Sequence, residues 1–162
     1  MAIKINILIV DDHPFIIEGY KNAINGYNKK GNYEFIITQA KDCKTGYEAI
    51  TNEGIEPFDV AFFDLSMPVY EEKNIFSGED LASLIKSNMP DCKIILLTMH
   101  TELLKINNIK KNINPNGLII KNDLTYDELL LAFDKILKGE NYYSQTVVKI
   151  VNQIQYNHIE ID

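Results

Sequence analysis

Asp11 and Asp12 follow the run ILIV, Asp64 follows DVAFF, Thr98 follows KIILL and Lys121 follows GLII. Each run is short, apolar and rich in β-branched residues, as a buried parallel strand should be. Three carboxylates, a hydroxyl and an ammonium are therefore expected at strand ends, and in a parallel sheet those ends meet along one edge. Like charges about 4 Å apart repel by about 4 kcal/mol at an effective dielectric near 20. Either one acid stays protonated or a cation sits among them. Hard oxygen donors select Mg²⁺ or Mn²⁺ over zinc, and Mg²⁺ readily takes a phosphate oxygen as well. Asp64 is then a candidate nucleophile toward a phosphoryl group. The cation and Lys121 would neutralise the transferring oxygens, and Thr98 would donate a hydrogen bond to one of them.

The elements that must position these residues alternate strand with helix. Ile3–Val10 reads as a first strand. Pro14 suits a first helical turn, and Phe15–Ile24 places an apolar stripe that Asn25 and Gly26 end. A polar loop at Tyr27–Asn32 leads to a strand at Tyr33–Thr38 and a helix at Thr45–Asn52. Pro57–Phe63 leads into the strand that ends at Asp64. A long connection, Ser66–Ser77, precedes a helix at Glu79–Ser87. The strand Lys93–Leu97, a weaker helix at Glu102–Lys111 and the strand Gly117–Ile120 follow. Asp123 or Thr125 can cap the next helix, whose Leu129, Leu130, Phe133 and Ile136 recur at helical spacing before Gly139 stops it. Ser144–Tyr156 reads as one further amphipathic helix.

This order predicts right-handed βαβ units and a five-stranded, doubly wound parallel sheet with helices on both faces, plus the extra C-terminal helix. Sites in such sheets lie at the carboxyl ends of the strands, where strand order reverses.

The 162 residues carry a net charge of −7, with 46% hydrophobic and 24% charged residues. That suits one globular domain with a short extension. It argues against the chain holding nucleic acid by itself, because phosphate contacts need clustered Lys and Arg. No signal-peptide pattern opens the chain and no apolar run is long enough to span a bilayer, so no membrane partner and a cytoplasmic location are expected. Cys43 and Cys92 lie in no metal or redox motif. His13 and His100 have no evident partner and read as surface positions near the pocket.

The motifs ILIVDDHP, DVAFFDLSMP, KIILLTMH and GLIIK stand in the order found in receiver domains of bacterial two-component response regulators. The chain resembles that family over about residues 4 to 138, and DDHP, DLSMP and LTMH resemble its NarL/LuxR-type branch. The resemblance implies a flavodoxin-like sheet of order 2-1-3-4-5, with residues 1–139 as the receiver. Residues 140–162 would be a C-terminal helix and linker toward an output domain outside these residues. It implies Asp64 as phosphoacceptor, and Mg²⁺ (or Mn²⁺) held by Asp11, Asp12, Asp64 and the backbone carbonyl of Ser66. Thr98 and Lys121 would contact the phosphoryl oxygens. A sensor histidine kinase would be the donor, homodimerisation a response to phosphorylation, and DNA a partner only through the output domain. The chain is then a phosphoacceptor switch with autocatalytic phosphorylation and dephosphorylation, not an enzyme with a substrate of its own.

Two positions depart from the family. The connection after Asp64 is longer, with YEEKNIF inserted, and Leu118 stands where a Tyr or Phe is usual three residues before the lysine. Alternatives are a stand-alone receiver acting through protein partners, an aspartate-nucleophile phosphatase of the haloacid-dehalogenase type, and a flavodoxin-type cofactor binder. The phosphatase family puts a DxD pattern after its first strand, where this chain has an adjacent DD. The flavodoxin phosphate loop is rich in Ser, Thr and Gly, and Asp11–Asp12 would repel a flavin phosphate.

Overall fold

A computed structural model describes residues 2–27 and 31–156, the side chains of 155 and 156 excepted. Part of the loop expected at Tyr27–Asn32 and the last six residues of the C-terminal segment lie outside the described residues. The strands are β1 (Ile3–Val10), β2 (Tyr33–Ala40), β3 (Val60–Asp64), β4 (Lys93–Thr98), β5 (Gly117–Ile120) and β6 (Tyr142–Tyr143). The helices are α1 (Pro14–Tyr27), α2 (Cys43–Thr51), α3 (Gly78–Asn88), α4 (Leu103–Asn112), α5 (Tyr126–Leu137) and α6 (Gln145–Tyr156). All strand pairs are parallel, in the order β2-β1-β3-β4-β5-β6.

The sheet buries both faces. Ile7 and Ile9 point to the layer formed by α1 and α5, and Leu8 and Val10 to the layer formed by α2, α3, α4 and α6. Each of the four is fully buried, which is why ILIV shows no polar alternation. On the first face Tyr20 stacks on Phe62 at 5.5 Å between ring centroids, and Phe133 packs against Tyr27, Phe35 and Phe62. On the second face Leu81 and Ile85 of α3, Ile106 and Ile109 of α4 and Val147 and Ile150 of α6 close over β3, β4 and β5.

The structure refines the expected elements in three places. The helix expected from Thr45 starts at Cys43. Asp42 is its N-cap, accepting from Thr45 N–H at 2.8 Å while Thr45 Oγ1 accepts from Asp42 N–H at 3.2 Å. Thr45 is thus the third residue of a capping box rather than the start. The sheet gains a sixth strand, because Tyr142 N–H bonds to Asn116 O and Ser144 N–H to Leu118 O. Two residues are too few to leave a periodic signal.

The Ser66–Ser77 connection is built rather than loose. Tyr70 and Ile75 exchange both backbone hydrogen bonds, at 2.7 and 3.1 Å, around a 3₁₀ turn at Glu71–Lys73. Asn74 takes the left-handed conformation that closes it, at φ 58°. Tyr70 then meets Tyr47 of α2 edge to face at 5.7 Å.

The end of this connection is tight. Gly78 N–H bonds to Leu65 O at 3.2 Å, and a Cβ on Gly78 would run into the carbonyl oxygen of Asp64. Gly78→Ala must push α3 away from the end of β3. We expect a loss of about 1–3 kcal/mol in denaturant unfolding, and an unchanged midpoint would contradict this packing.

Candidate functional site

Asp11 and Asp12 follow β1 directly, Asp64 ends β3, and Lys121 follows β5 directly. Backbone bonds continue the ladders past the strand ends and fix these termini. Asp11 N–H donates to Ala40 O at 3.0 Å, and Leu65 N–H to Leu97 O at 3.0 Å. The Lys121 ammonium reaches Asp64 Oδ2 at 2.9 Å and Asp11 Oδ2 at 3.5 Å. Asp11 is fully buried and Asp64 only 4% exposed. Asp64 Oδ1 accepts from Ser66 N–H at 3.2 Å.

Burial pushes the Asp64 carboxyl above its ordinary value. The Lys121 ammonium and the Ser66 N–H pull it down without overcoming that burial, and the Asp11 charge adds to the rise. Tyr20 lies behind the pair, its hydroxyl 3.5 Å from Asp11 Oδ2. Burial, then the charges of Asp11 and Asp64, raise its pKa well above the ordinary phenol value, so it remains a neutral donor.

Asp12 is the exposed member, and it meets the others through a residue the sequence reading set aside. His13 Nδ1 lies 3.0 Å from Asp11 Oδ1, 3.0 Å from Asp12 Oδ1 and 4.0 Å from Asp64 Oδ2. His13 is a surface position near the pocket as expected, but it has three acidic neighbours, which corrects the expectation that it has no partner. The available signal was Pro14. It starts α1 and holds His13 at the helix entrance, where Ile16 and Ile17 N–H groups bond to His13 O. His100 too has a neighbour, Glu102 Oε2 at 3.3 Å, but lies outside the acidic cluster.

Ligand atoms of Asp11, Asp12, His13 and Asp64 all lie within 4.8 Å of one another. Two buried carboxylates share one ammonium and a third carboxylate stands at the rim, so the cluster carries excess negative charge. Its donors are mostly carboxylate oxygens, which fits a hard divalent cation such as Mg²⁺ or Mn²⁺. Ser66 meets Asp64 through its backbone N–H. Thr98 is buried at the end of β4, and its Oγ1 accepts from His100 N–H at 3.0 Å. No hydrogen bond joins Thr98 to the carboxylates among the described residues. A cavity of about 530 Å³ lies between Lys4, Phe58, Met89 and Cys92 at the opposite edge and includes none of these residues.

A parallel sheet of this order, with acids from β1 and β3 and a lysine after β5 at one edge, has the architecture of a CheY-like switch domain. The family described as Response regulator receiver domain matches residues 7–132, and the chain belongs to that family. It is 30% identical over 96% of its length to the protein named Oxygen regulatory protein NreC of Staphylococcus haemolyticus. It is 26% identical over 89% of its length to the protein named Transcriptional regulatory protein MctR of Rhizobium johnstonii. The chain spans 65% and 60% of the length of those curated relatives. The RcsB response regulator of Salmonella typhimurium superposes with a TM-score of 0.73 at 22% identity, covering 92% of this chain and 67% of that one. The CheY-like receiver protein of Methanospirillum hungatei gives 0.64 at 25% identity, covering 83% and 94%. These relatives bear out the NarL/LuxR-type resemblance, and the phosphatase and flavodoxin readings fall away. No helix among the described residues is long and apolar enough to cross a membrane.

The raised Asp64 carboxyl has a consequence for stability. A carboxyl whose folded pKa lies above its unfolded one imposes no penalty when both states are protonated. The penalty grows as pH rises from about 4 through the folded value. In metal-free buffer near neutral pH, Asp64→Asn should therefore melt a few degrees above the parent, about 1 kcal/mol for a chain of this size. The difference should close as pH falls toward about 3.5. A variant less stable than the parent at pH 7 would contradict the burial cost assigned to Asp64.

Proposed function

We propose that Asp64 accepts a phosphoryl group from a phosphohistidine of a sensor histidine kinase, and that the phosphorylated chain is the active state of a two-component switch. One observation carries the reading. Lys121 Nζ lies 2.9 Å from a buried Asp64 oxygen at the corner where Asp11 and Asp12 also converge. In the transfer the phosphorus–nitrogen bond of the donor breaks and a bond from phosphorus to an Asp64 oxygen forms. The freed imidazole takes a proton from solvent. Asp11, Asp12, Asp64 and the backbone carbonyl of Ser66 would hold Mg²⁺ or Mn²⁺, which supplies charge neutralisation when bound. Lys121 would move from a carboxylate oxygen to a phosphoryl oxygen, and the Thr98 hydroxyl would donate to another. Acetyl phosphate would serve as a small-molecule donor, and water would return the chain to its starting state. Phosphorylation and dephosphorylation are then autocatalytic on the chain itself.

The response belongs to residues 1–139 as the receiver unit, with residues 140–162 as the C-terminal segment leading toward an output domain. Relatives are named as regulators of transcription, and RcsB has been solved bound to DNA and as dimers on DNA. Control of transcription by this chain would run through self-association and a DNA-binding segment outside these residues. An acidic chain lacks the electrostatic attraction that supplies most non-specific DNA affinity. A cytoplasmic location goes with this reading, because the kinase's phosphohistidine and acyl-phosphate donors would be met there.

Incubation with acetyl phosphate and Mg²⁺, borohydride trapping and peptide mapping should find one modified residue, Asp64. Modification that survives Asp64→Asn would overturn the assignment. Lys121→Ala should bind Mg²⁺ but lose at least about tenfold in affinity for beryllofluoride, a mimic of the aspartyl phosphate. Matching titration curves for the two proteins would remove Lys121 from the site.

A further inference from the structure

A helix begins with N–H groups that have no partner inside it. In α6 the acceptor comes from a distant turn. Val148 N–H bonds to Ser144 O at 3.0 Å, which puts Ser144 at the cap position. The carboxylate that serves the helix start, however, belongs to Asp123. Its Oδ2 accepts from Thr146 N–H at 2.9 Å and from Ser144 Oγ at 2.7 Å, and its Oδ1 accepts from Thr146 Oγ1 at 2.7 Å. Ser144 Oγ in turn accepts from Ile120 N–H at 3.0 Å. Asp123 was one of two candidate caps for α5. Thr125 fills that role, accepting from Glu128 N–H at 3.1 Å. Burial alone would raise the Asp123 carboxyl, but the bonds from Ser144 and Thr146 outweigh it and hold the group below its ordinary value. A carboxylate at a helix N-terminus is also favoured by the helix dipole.

The same turn carries Lys121. Residues Lys121–Asp123 form a single 3₁₀ turn, closed by Leu124 N–H on Lys121 O at 3.1 Å. Lys121 faces Asp64 at one end of this turn, and Asp123 holds α6 at the other. Beyond its start, α6 buries Val147 and Ile150 in the cluster that contains Ile106 and Ile109 of α4. Lys110 of α4 lies over the Tyr143 ring at 5.2 Å from its centroid. Leu118 is fully buried, so no aromatic ring stands at that position to swing between exposed and buried states.

We propose that Asp123 is a positioning residue that fixes the Lys121 turn against α6 and thereby couples the charge state of the Asp64 site to the start of that helix. The proposal rests on the phosphoacceptor reading of Asp64. A phosphoryl group on Asp64 carries negative charge outward from the carboxylate, and the Lys121 ammonium follows it. The three-residue turn transmits that movement to Asp123. Asp123 cannot move without carrying Ser144 and Thr146 along or breaking its bonds to them. The coupling is reciprocal: whatever loosens the start of α6 must change the affinity of the Asp64 site by the same factor. The start of α6 thus answers to the lysine through hydrogen bonds, on a route that does not use the side chain of residue 118.

The test titrates beryllofluoride at fixed Mg²⁺ into the full chain, followed by amide NMR signals of Lys121, Thr146 and Val148. The parent should show one saturable transition at all three. Thr146→Val keeps the side-chain shape but removes the Oγ1 donor, and Asp123→Asn removes the charge. Each should weaken beryllofluoride about fivefold or more while Mg²⁺ affinity stays at the parental value. In each, the response at Thr146 and Val148 should shrink relative to that at Lys121. Thr146→Ser, which retains the donor, should restore the parental affinity and response. A purely structural role would move Mg²⁺ and beryllofluoride affinities together or neither. No beryllofluoride binding by the parent overturns the phosphoacceptor reading and this proposal with it. Parental binding with unchanged affinity and an unchanged α6 response in Thr146→Val and Asp123→Asn overturns this proposal alone.

Discussion

Two buried carboxylates share one ammonium at the carboxyl edge of the sheet, and the surrounding architecture serves to hold that arrangement. Asp11 and Asp64 come from different strands, and Lys121 from the turn after a third. Removing Lys121 would leave two buried carboxylates without their counter-charge, a change that typically costs about 3–5 kcal/mol. The strand ends must therefore stay in register. Ladder bonds at Asp11 and Leu65 run beyond the last paired residues, and only a glycine at position 78 lets α3 approach the Asp64 backbone. One ammonium cannot neutralise the cluster, so the site retains negative charge that a divalent cation would offset and a phosphoryl group would redistribute.

Much of this was legible in the sequence because the relevant signals are local. ILIV, DVAFF, KIILL and GLII are apolar runs each followed by a candidate site residue, and a parallel sheet brings all such ends to one edge. Asp11, Asp12, Asp64 and Lys121 converge for that reason. What stayed hidden depends on contacts between segments far apart in the chain. β6 is two residues long and exists only because β5 offers an unpaired edge. Asp123 satisfies a local rule for capping α5, yet the fold uses it to cap α6, more than twenty residues away. His13 is exposed as read, but its acidic partners were missed, because one of them, Asp64, is brought near only by the fold. The inserted YEEKNIF segment follows the same pattern. Its bridge between Tyr70 and Ile75 is local, but the Tyr70–Tyr47 contact that seats it on α2 is not.

The C-terminal helix shares its layer with α2, α3 and α4, and its apolar stripe completes the core over β5. Its anchoring at Asp123 and its packing on α4 bring Lys121 and α6 into one connected network. A fully buried leucine at position 118 makes such hydrogen-bonded contacts the natural route for a signal leaving the site. Packed elements of this kind shift between discrete arrangements rather than deform continuously. A charge change at Asp64 then biases a population instead of bending the sheet.

The central claim is that the acidic corner is a cation site built from strand ends. A Mg²⁺ titration of the full chain at about 0.15 M salt, followed by amide NMR and calorimetry, tests it directly, because surface charges are then screened beyond about 8 Å. The account predicts one saturable site, with shifts centred on Asp11–His13, Asp64–Ser66 and Lys121, and a loss of about tenfold or more in affinity for Asp12→Ala. Non-saturating shifts spread over the acidic surface, or equal Mg²⁺ affinity in Asp12→Ala and the parent, would contradict it.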